Sequence, residues 1–171
     1  LKMPRAKKKP GDAAPAATVS KKLMLGWIAR NADVTAKGDL LEITAAGRRP
    51  YIANAKIRVD GPAQVRLQIR IQKDGEGRLQ WRTAGQKNFP ATGPSKTFTI
   101  KGGDWRELTV PLLVKGQLLH SRLFLPSQKQ PVQLDWIEIG PTDGKANETK
   151  RWDFKAAKPF PEALFPEKPK K

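Results

Sequence analysis

Along residues 64–72 polar and apolar residues alternate without a break: Gln64-Val65-Arg66-Leu67-Gln68-Ile69-Arg70-Ile71-Gln72. Arg78-Leu79-Gln80-Trp81-Arg82 repeats the pattern. Successive side chains of a strand point to opposite faces, so a period of two predicts two strands, each with a buried and a wet face. Between them, Lys73-Asp74-Gly75-Glu76-Gly77 has the length and the glycines of a hairpin loop. Closing that hairpin is expected to set Gln72 opposite Arg78, Arg70 opposite Gln80 and Gln68 opposite Arg82. On the other face Ile71 then meets Leu79 and Ile69 meets Trp81. Every Arg faces a Gln in this register. A slip of two residues opposes like charges, and a slip of one mismatches the faces.

Further short strands follow from turn signals and apolar runs. They are expected near Asp39–Thr44, Pro50–Ile52, Ile57–Val59, Lys96–Ile100, Trp105–Leu113, Leu118–Leu125 and Val132–Ile139. Asp60-Gly61-Pro62 and Lys101-Gly102-Gly103-Asp104 punctuate them. No segment has a long period of 3.6. Eight or nine short strands with this spacing predict an all-β fold, a two-sheet antiparallel sandwich, over residues 23–140. Residues 1–22, rich in Lys, Pro and Ala, read as a basic linker. In residues 141–171 the alternation stops, and Pro159, Pro161, Pro166 and Pro169 exclude a regular helix or central strand there. Trp152, Phe154, Phe160 and Phe165 are expected to dock this tail on the sandwich edge without adding a core element.

Charge sharpens the picture. The chain carries 33 Lys/Arg against 16 Asp/Glu, a net +17. The excess is spread over the linker, the sandwich and the tail, so the folded part is itself basic. Anionic partners are favoured: an acidic polysaccharide, nucleic acid or an anionic membrane surface. With no cysteine, disulfides, thiolate metal sites and a Cys nucleophile are excluded. No apolar run has transmembrane length.

The polar face of the predicted hairpin is the candidate binding surface. It carries Arg66, Gln68, Arg70, Arg78, Gln80 and Arg82 and, within the two strands, no acid. Guanidinium forks suit sulfate, phosphate or carboxylate, and Gln amides offer the donors and acceptors that sugar hydroxyls need. The plain alternative is a solvated sheet face. Trp136, outward by alternation, is either a sugar-stacking platform or a ring covered by the tail, whereas Trp27, Trp81 and Trp105 are expected in the core. Asp135 falls on the inward face, where a carboxylate needs hydrogen-bond donors or a cation; a structural Ca²⁺ is the weaker of the two readings. His120, the one histidine, neighbours Ser121, but adjacent strand residues point apart, which argues against a Ser-His-Asp unit with Asp135.

Trp105-Arg106-Glu107-Leu108-Thr109-Val110-Pro111-Leu112, Leu118–Leu125 and Gln133-Leu134-Asp135-Trp136-Ile137-Glu138-Ile139 together resemble the closing strands of galactose-binding-like jelly-roll domains, which include many carbohydrate-binding modules. More narrowly, the stretch from Gly26-Trp27 to Arg151-Trp152-Asp153-Phe154 is similar to the C-terminal domains appended to secreted bacterial sulfatases, especially in planctomycetes. The resemblance covers residues 23–155. It implies an accessory role without catalysis, in a secreted, periplasmic or cell-surface protein, with Leu1–Pro4 closing the catalytic domain. The sulfatase nucleophile motif, Cys or Ser followed by x-Pro-x-Arg, is absent.

Two functions are therefore expected first. One is a carbohydrate-binding-like domain that targets an attached sulfatase to an anionic, sulfated polysaccharide. The other is a structural domain packed against its own catalytic domain in cis. Nucleic-acid binding is disfavoured, because no surface aromatics interleave with the basic strands.

Overall fold

The computed structural model describes residues 24–37, 40–87, 89, 94–143 and 148–154. These form twelve strands and no α-helix. In chain order they are β1 (Ile28–Arg30), β2 (Ala32–Lys37), β3 (Leu40–Ala45), β4 (Tyr51–Asn54), β5 (Val59–Asp60), β6 (Ala63–Arg70), β7 (Gly75–Thr83), β8 (Ser95–Ile100), β9 (Arg106–Leu112), β10 (Gln117–Phe124), β11 (Val132–Pro141) and β12 (Lys150–Asp153). One six-stranded sheet runs β1-β4-β10-β7-β8, with β5 beside β10. The other runs β2-β3-β11-β6-β9, with β12 beside β11. All the pairings are antiparallel, which gives the two-sheet sandwich that the strand spacing predicts and the jelly-roll class that the family resemblance implies. No helix among the described residues is long and apolar enough to cross a membrane.

Alternation builds the core directly. Val65, Leu67 and Ile69 on β6 are wholly buried, and so are Leu134, Ile137 and Ile139 on β11. They meet Leu79, Trp81, Leu118 and Leu123 from the opposite sheet in one apolar cluster. Trp27 and Trp81 belong to it, but Trp105 is half-buried at the surface, contrary to expectation.

The predicted hairpin does not form. β6 pairs with β9 on one side and β11 on the other, while β7 pairs with β8 and β10. The two strands lie in different sheets and face each other across the core. Alternation fixes which side of a strand is buried; it is equally satisfied by neighbours in one sheet and by partners across a sandwich. Ile71, just past β6, is also buried, so the chain bends over the end of the core rather than turning flat. Asp74 Oδ1 accepts from Gly102 N at 2.8 Å, and Gln128 bonds both backbone groups of Lys73, which pins the crossing. Arg70 opposite Gln80 and Gln68 opposite Arg82 are therefore overturned: Arg70 lies opposite Gln133, and Gln68 lies between Trp136 and Glu107.

The sheet also takes in residues placed in the tail. Lys150–Asp153 pairs with Trp136–Ile139 of β11, and Phe154 is 1% exposed within the core. Trp152 stands edge-on to Trp27 at 5.3 Å and 83°. Residues 1–22, the tail from 155 on, Phe160 and Phe165 lie outside the described residues.

Candidate anion-binding site

Because β6 and β7 belong to different sheets, the six Arg and Gln residues divide between two opposite outer faces. Arg66, Gln68 and Arg70 share one face with Trp136; Arg78, Gln80 and Arg82 occupy the other. The two faces differ electrostatically.

On the first face the arginines are engaged. Arg66 bonds Glu107 on β9 at 2.5 Å and Glu138 on β11 at 3.1 Å. The hydrogen bond to Glu107 holds its guanidinium above its ordinary pKa; burial opposes this next, and the charges of Glu138 and then Glu107 add to the rise. Arg151 on β12 bonds Glu138 at 2.5 Å and Asp153 at 3.5 Å, so charges of alternating sign run across β9, β6, β11 and β12. Arg70 Nε donates to Gln133 Oε1 at 2.6 Å, and its guanidinium sits 5.1 Å from the Trp105 ring centre. Trp136 does point out of the sheet, but at 7% exposure it is no platform. Arg151 and Arg66 cover its ring at 4.4 and 5.7 Å, and its Nε1 donates to Gln68 Oε1 at 2.8 Å. The acid-free face is thus overturned here, because Glu107 and Glu138 arrive from neighbouring strands.

Glu138 is the hub of that network, with a side chain only 16% exposed. Glu138→Gln leaves Arg66 and Arg151 facing each other with their shared counter-charge gone. A loss of about 1 kcal/mol is expected. Thermal melting checks this; an unchanged midpoint would show the network to be solvent-compensated.

On the opposite face β10 and β4 bring in residues far away in sequence. His120, Arg122 and Phe124 alternate outward along β10, beside Arg82, Gln80 and Arg78 of β7 respectively. Tyr51 on β4 pairs with Phe124. Arg78 lies 5.6 Å from the Phe124 ring centre; Arg122 lies 5.2 Å from that of Tyr51 and 4.0 Å from that of Phe89. Tyr51 and Phe124 touch at 4.9 Å, and Phe89 meets His120 at 4.6 Å. Arg82 Nη1 donates to the Gln86 carbonyl, and Gln80 is buried in the row between Arg122 and Ser95. No ion pair among the described residues involves Arg78, Arg82 or Arg122. Glu76 shares this face two residues before Arg78 and forms none either.

A cation over a ring is held by the quadrupole of the π-system, an attraction worth about 0.5–2 kcal/mol that leaves guanidinium N–H donors uncommitted. Arg78 and Arg82 are four residues apart on one strand, roughly 13 Å, with Arg122 between them on the next strand. The face is therefore a preorganised row of cations, each about 8 Å from the next in backbone position. Sequence reasoning found Arg78 and Arg82. It missed Arg122 and Phe124, whose only local signal is alternation along β10, and Tyr51 on β4 and Phe89 after β7, which strand pairing and chain path bring beside them.

Of the remaining candidates, His120 and Ser121 point to opposite sides of β10, and the buried Ser121 hydroxyl donates to Gln80 O at 3.3 Å. Asp135 sits at a β-bulge between Leu134 and Trp136 and is 8% exposed. No group of three or more His, Cys, Asp or Glu side chains suited to a metal comes together among the described residues.

No protein-family model matches the sequence, and no curated protein does. Solved structures match in fold. A structure titled "Carbohydrate binding module family29" aligns with a TM-score of 0.50 at 9% identity, over 69% of this chain and 82% of that one. A mutant of the module CBM29-2 aligns with a TM-score of 0.50 at 8% identity, over 69% and 85%. An arabinose-bound α-L-arabinofuranosidase of the type MgGH51 aligns with a TM-score of 0.52 at 13% identity, over 74% of this chain but 25% of the enzyme. The chain shares its jelly-roll sandwich with carbohydrate-binding modules and with one part of a larger glycosidase.

Proposed function

We propose that the chain is a non-catalytic carbohydrate-binding-like unit that holds an attached sulfatase on an anionic, sulfated polysaccharide through the β4-β10-β7 face. One observation carries this reading: among the described residues Arg78, Arg82 and Arg122 form no ion pair, while on the opposite face Arg66 and Arg151 are both paired with acids and Arg70 bonds Gln133. The fold shared with modules named for carbohydrate binding is in keeping with it. Bidentate hydrogen bonds from guanidinium to sulfate oxygens supply the affinity, and the spacing of the cations suits charges repeated along a linear chain.

This assignment revises the site expected from sequence. Arg78, Gln80 and Arg82 stay in it, Arg122 with its aromatic supports joins them, and Arg66, Gln68, Arg70 and Trp136 serve the opposite sheet. Contrary to expectation, aromatics do interleave with basic residues on this face, but their ring faces are not open. Single-strand binders stack bases on open ring faces, whereas here guanidinium groups occupy the faces of Tyr51, Phe89 and Phe124.

Affinity gels test the assignment. Migration should be strongly retarded by a sulfated polysaccharide and hardly at all by its desulfated form, and the retardation should weaken as salt rises, because exposed charges are screened. Equal retardation by both forms would defeat the charge-based mechanism. Stronger retardation by a single-stranded oligonucleotide than by the sulfated glycan would transfer the face to nucleic acid.

A further inference from the structure

We infer that Arg82, His120 and Arg122 form a subsite for one sulfate ester, and that filling it draws a proton onto His120. This rests on the polyanion reading of the face and specifies how that face is regulated.

The geometry concentrates three nitrogen-bearing side chains at one end of the face. His120 and Arg82 are cross-strand partners, and Arg122 stands two residues along on the same side of β10. Phe89 joins the last two: its ring meets His120 at 4.6 Å and 72°, and its face carries Arg122 at 4.0 Å. Arg82 is anchored by its bond to the Gln86 carbonyl. The three side chains therefore have fixed places before any ligand arrives. Other charged residues on the elements around His120 are Glu76 and the half-buried Arg78 farther along β7, Lys87 after it, Lys56 and Arg58 between β4 and β5, and Asp60 on β5, all but Arg78 exposed. The groups that act on the imidazole are Arg82 and Arg122.

His120 consequently resists protonation in the free protein: burial lowers its pKa first, then the charges of Arg82 and Arg122. An oxyanion bound between the two arginines cancels the like-charge repulsion and gives the imidazolium a partner. The bound protein then holds the proton more tightly than the free protein, so affinity must rise as pH falls through the histidine range. One proton taken up sets a ceiling of about tenfold in affinity for each pH unit. A sulfate ester remains ionised throughout that range, so the pH dependence resides in the protein.

His120 is the only histidine in the chain, which makes its ring resonances unambiguous. The full chain is titrated with dextran sulfate at pH 5.5 and 7.5, with neutral dextran and carboxymethyl dextran as controls, and its imidazole shift is followed against pH with and without dextran sulfate. We expect binding several-fold tighter at pH 5.5, and an imidazole titration that moves upward when dextran sulfate is present. His120→Gln should bind as the parent does at pH 7.5 and lose the pH dependence. Equal affinity at both pH values with an unmoved imidazole titration would overturn the proton coupling and leave the polyanion site standing. Retention of the pH dependence by His120→Gln would likewise overturn it. Absence of binding at either pH would overturn both, and carboxymethyl dextran binding as tightly as dextran sulfate would overturn the choice of sulfate ester.

Discussion

Arg122→Ala is expected to weaken binding to a sulfated polysaccharide by about tenfold to a hundredfold, the largest loss for any one residue of the face. Hydrogen bonds from a charged donor are worth roughly 1.5–3 kcal/mol, and about 1.4 kcal/mol corresponds to a factor of ten. Arg122 contributes more than its charge. It lies over both Tyr51 and Phe89, so its removal also frees the rings that hold the row in place. The informative control is Arg66→Ala, which deletes an arginine of the opposite face. That variant should bind normally and melt earlier, because Glu107 and Glu138 each lose a partner. Calorimetric titration with melting curves for both variants separates the two roles. Unchanged binding in Arg122→Ala together with lost binding in Arg66→Ala would place the site on the wrong sheet.

The largest loss of stability is expected from Phe154→Ala, about 3–5 kcal/mol, the range for removing a large buried aromatic side chain. Phe154 is 1% exposed and follows directly on β12, whose pairing with β11 it anchors. The loss propagates, since β12 brings Trp152 against Trp27 and Arg151 over Trp136. Equilibrium denaturation in urea measures it. A cost below about 0.5 kcal/mol, the level of an ordinary surface substitution, would return this segment to the status of a loosely docked tail.

How much of this was legible in the sequence depended on which physical constraint spoke. Where half-buried strands alternate large apolar residues, as in β6, β7, β10 and β11, both the strand and its inward face follow from the residues alone. β2 alternates Ala32, Val34 and Ala36 with polar residues, but alanine contributes so little buried area that the signal falls below notice. β1 and β2 are further disguised by Asn31, whose positive φ of 53° breaks what would otherwise read as one segment. β12, only four residues beside a longer strand, has no pattern of its own to show.

The site was less legible than the fold, for a different reason. Alternation determines the face of a strand but not its neighbours, and charge balance is a property of neighbours. Arg66 and Arg78 look equivalent along the chain; one meets Glu107 and Glu138, the other meets Phe124. Strand order decides between them, and that order is set by long-range pairing that a turn-length argument could not see.

The crossing of the chain from β6 to β7 has a consequence for encounter kinetics. Residues 66–82 thread from a surface where Arg66 is paired with two acids to one where Arg78 and Arg82 form no ion pair among the described residues, an asymmetry of charge across the thickness of the sandwich. In the field of an anionic matrix such a body experiences a torque as well as an attraction, and it rotates before it touches. It arrives with the aromatic-supported arginines leading and the β12 side trailing. Productive collisions are thereby enriched over random ones, and on the proposed function an attached catalytic unit would be presented from a reproducible side.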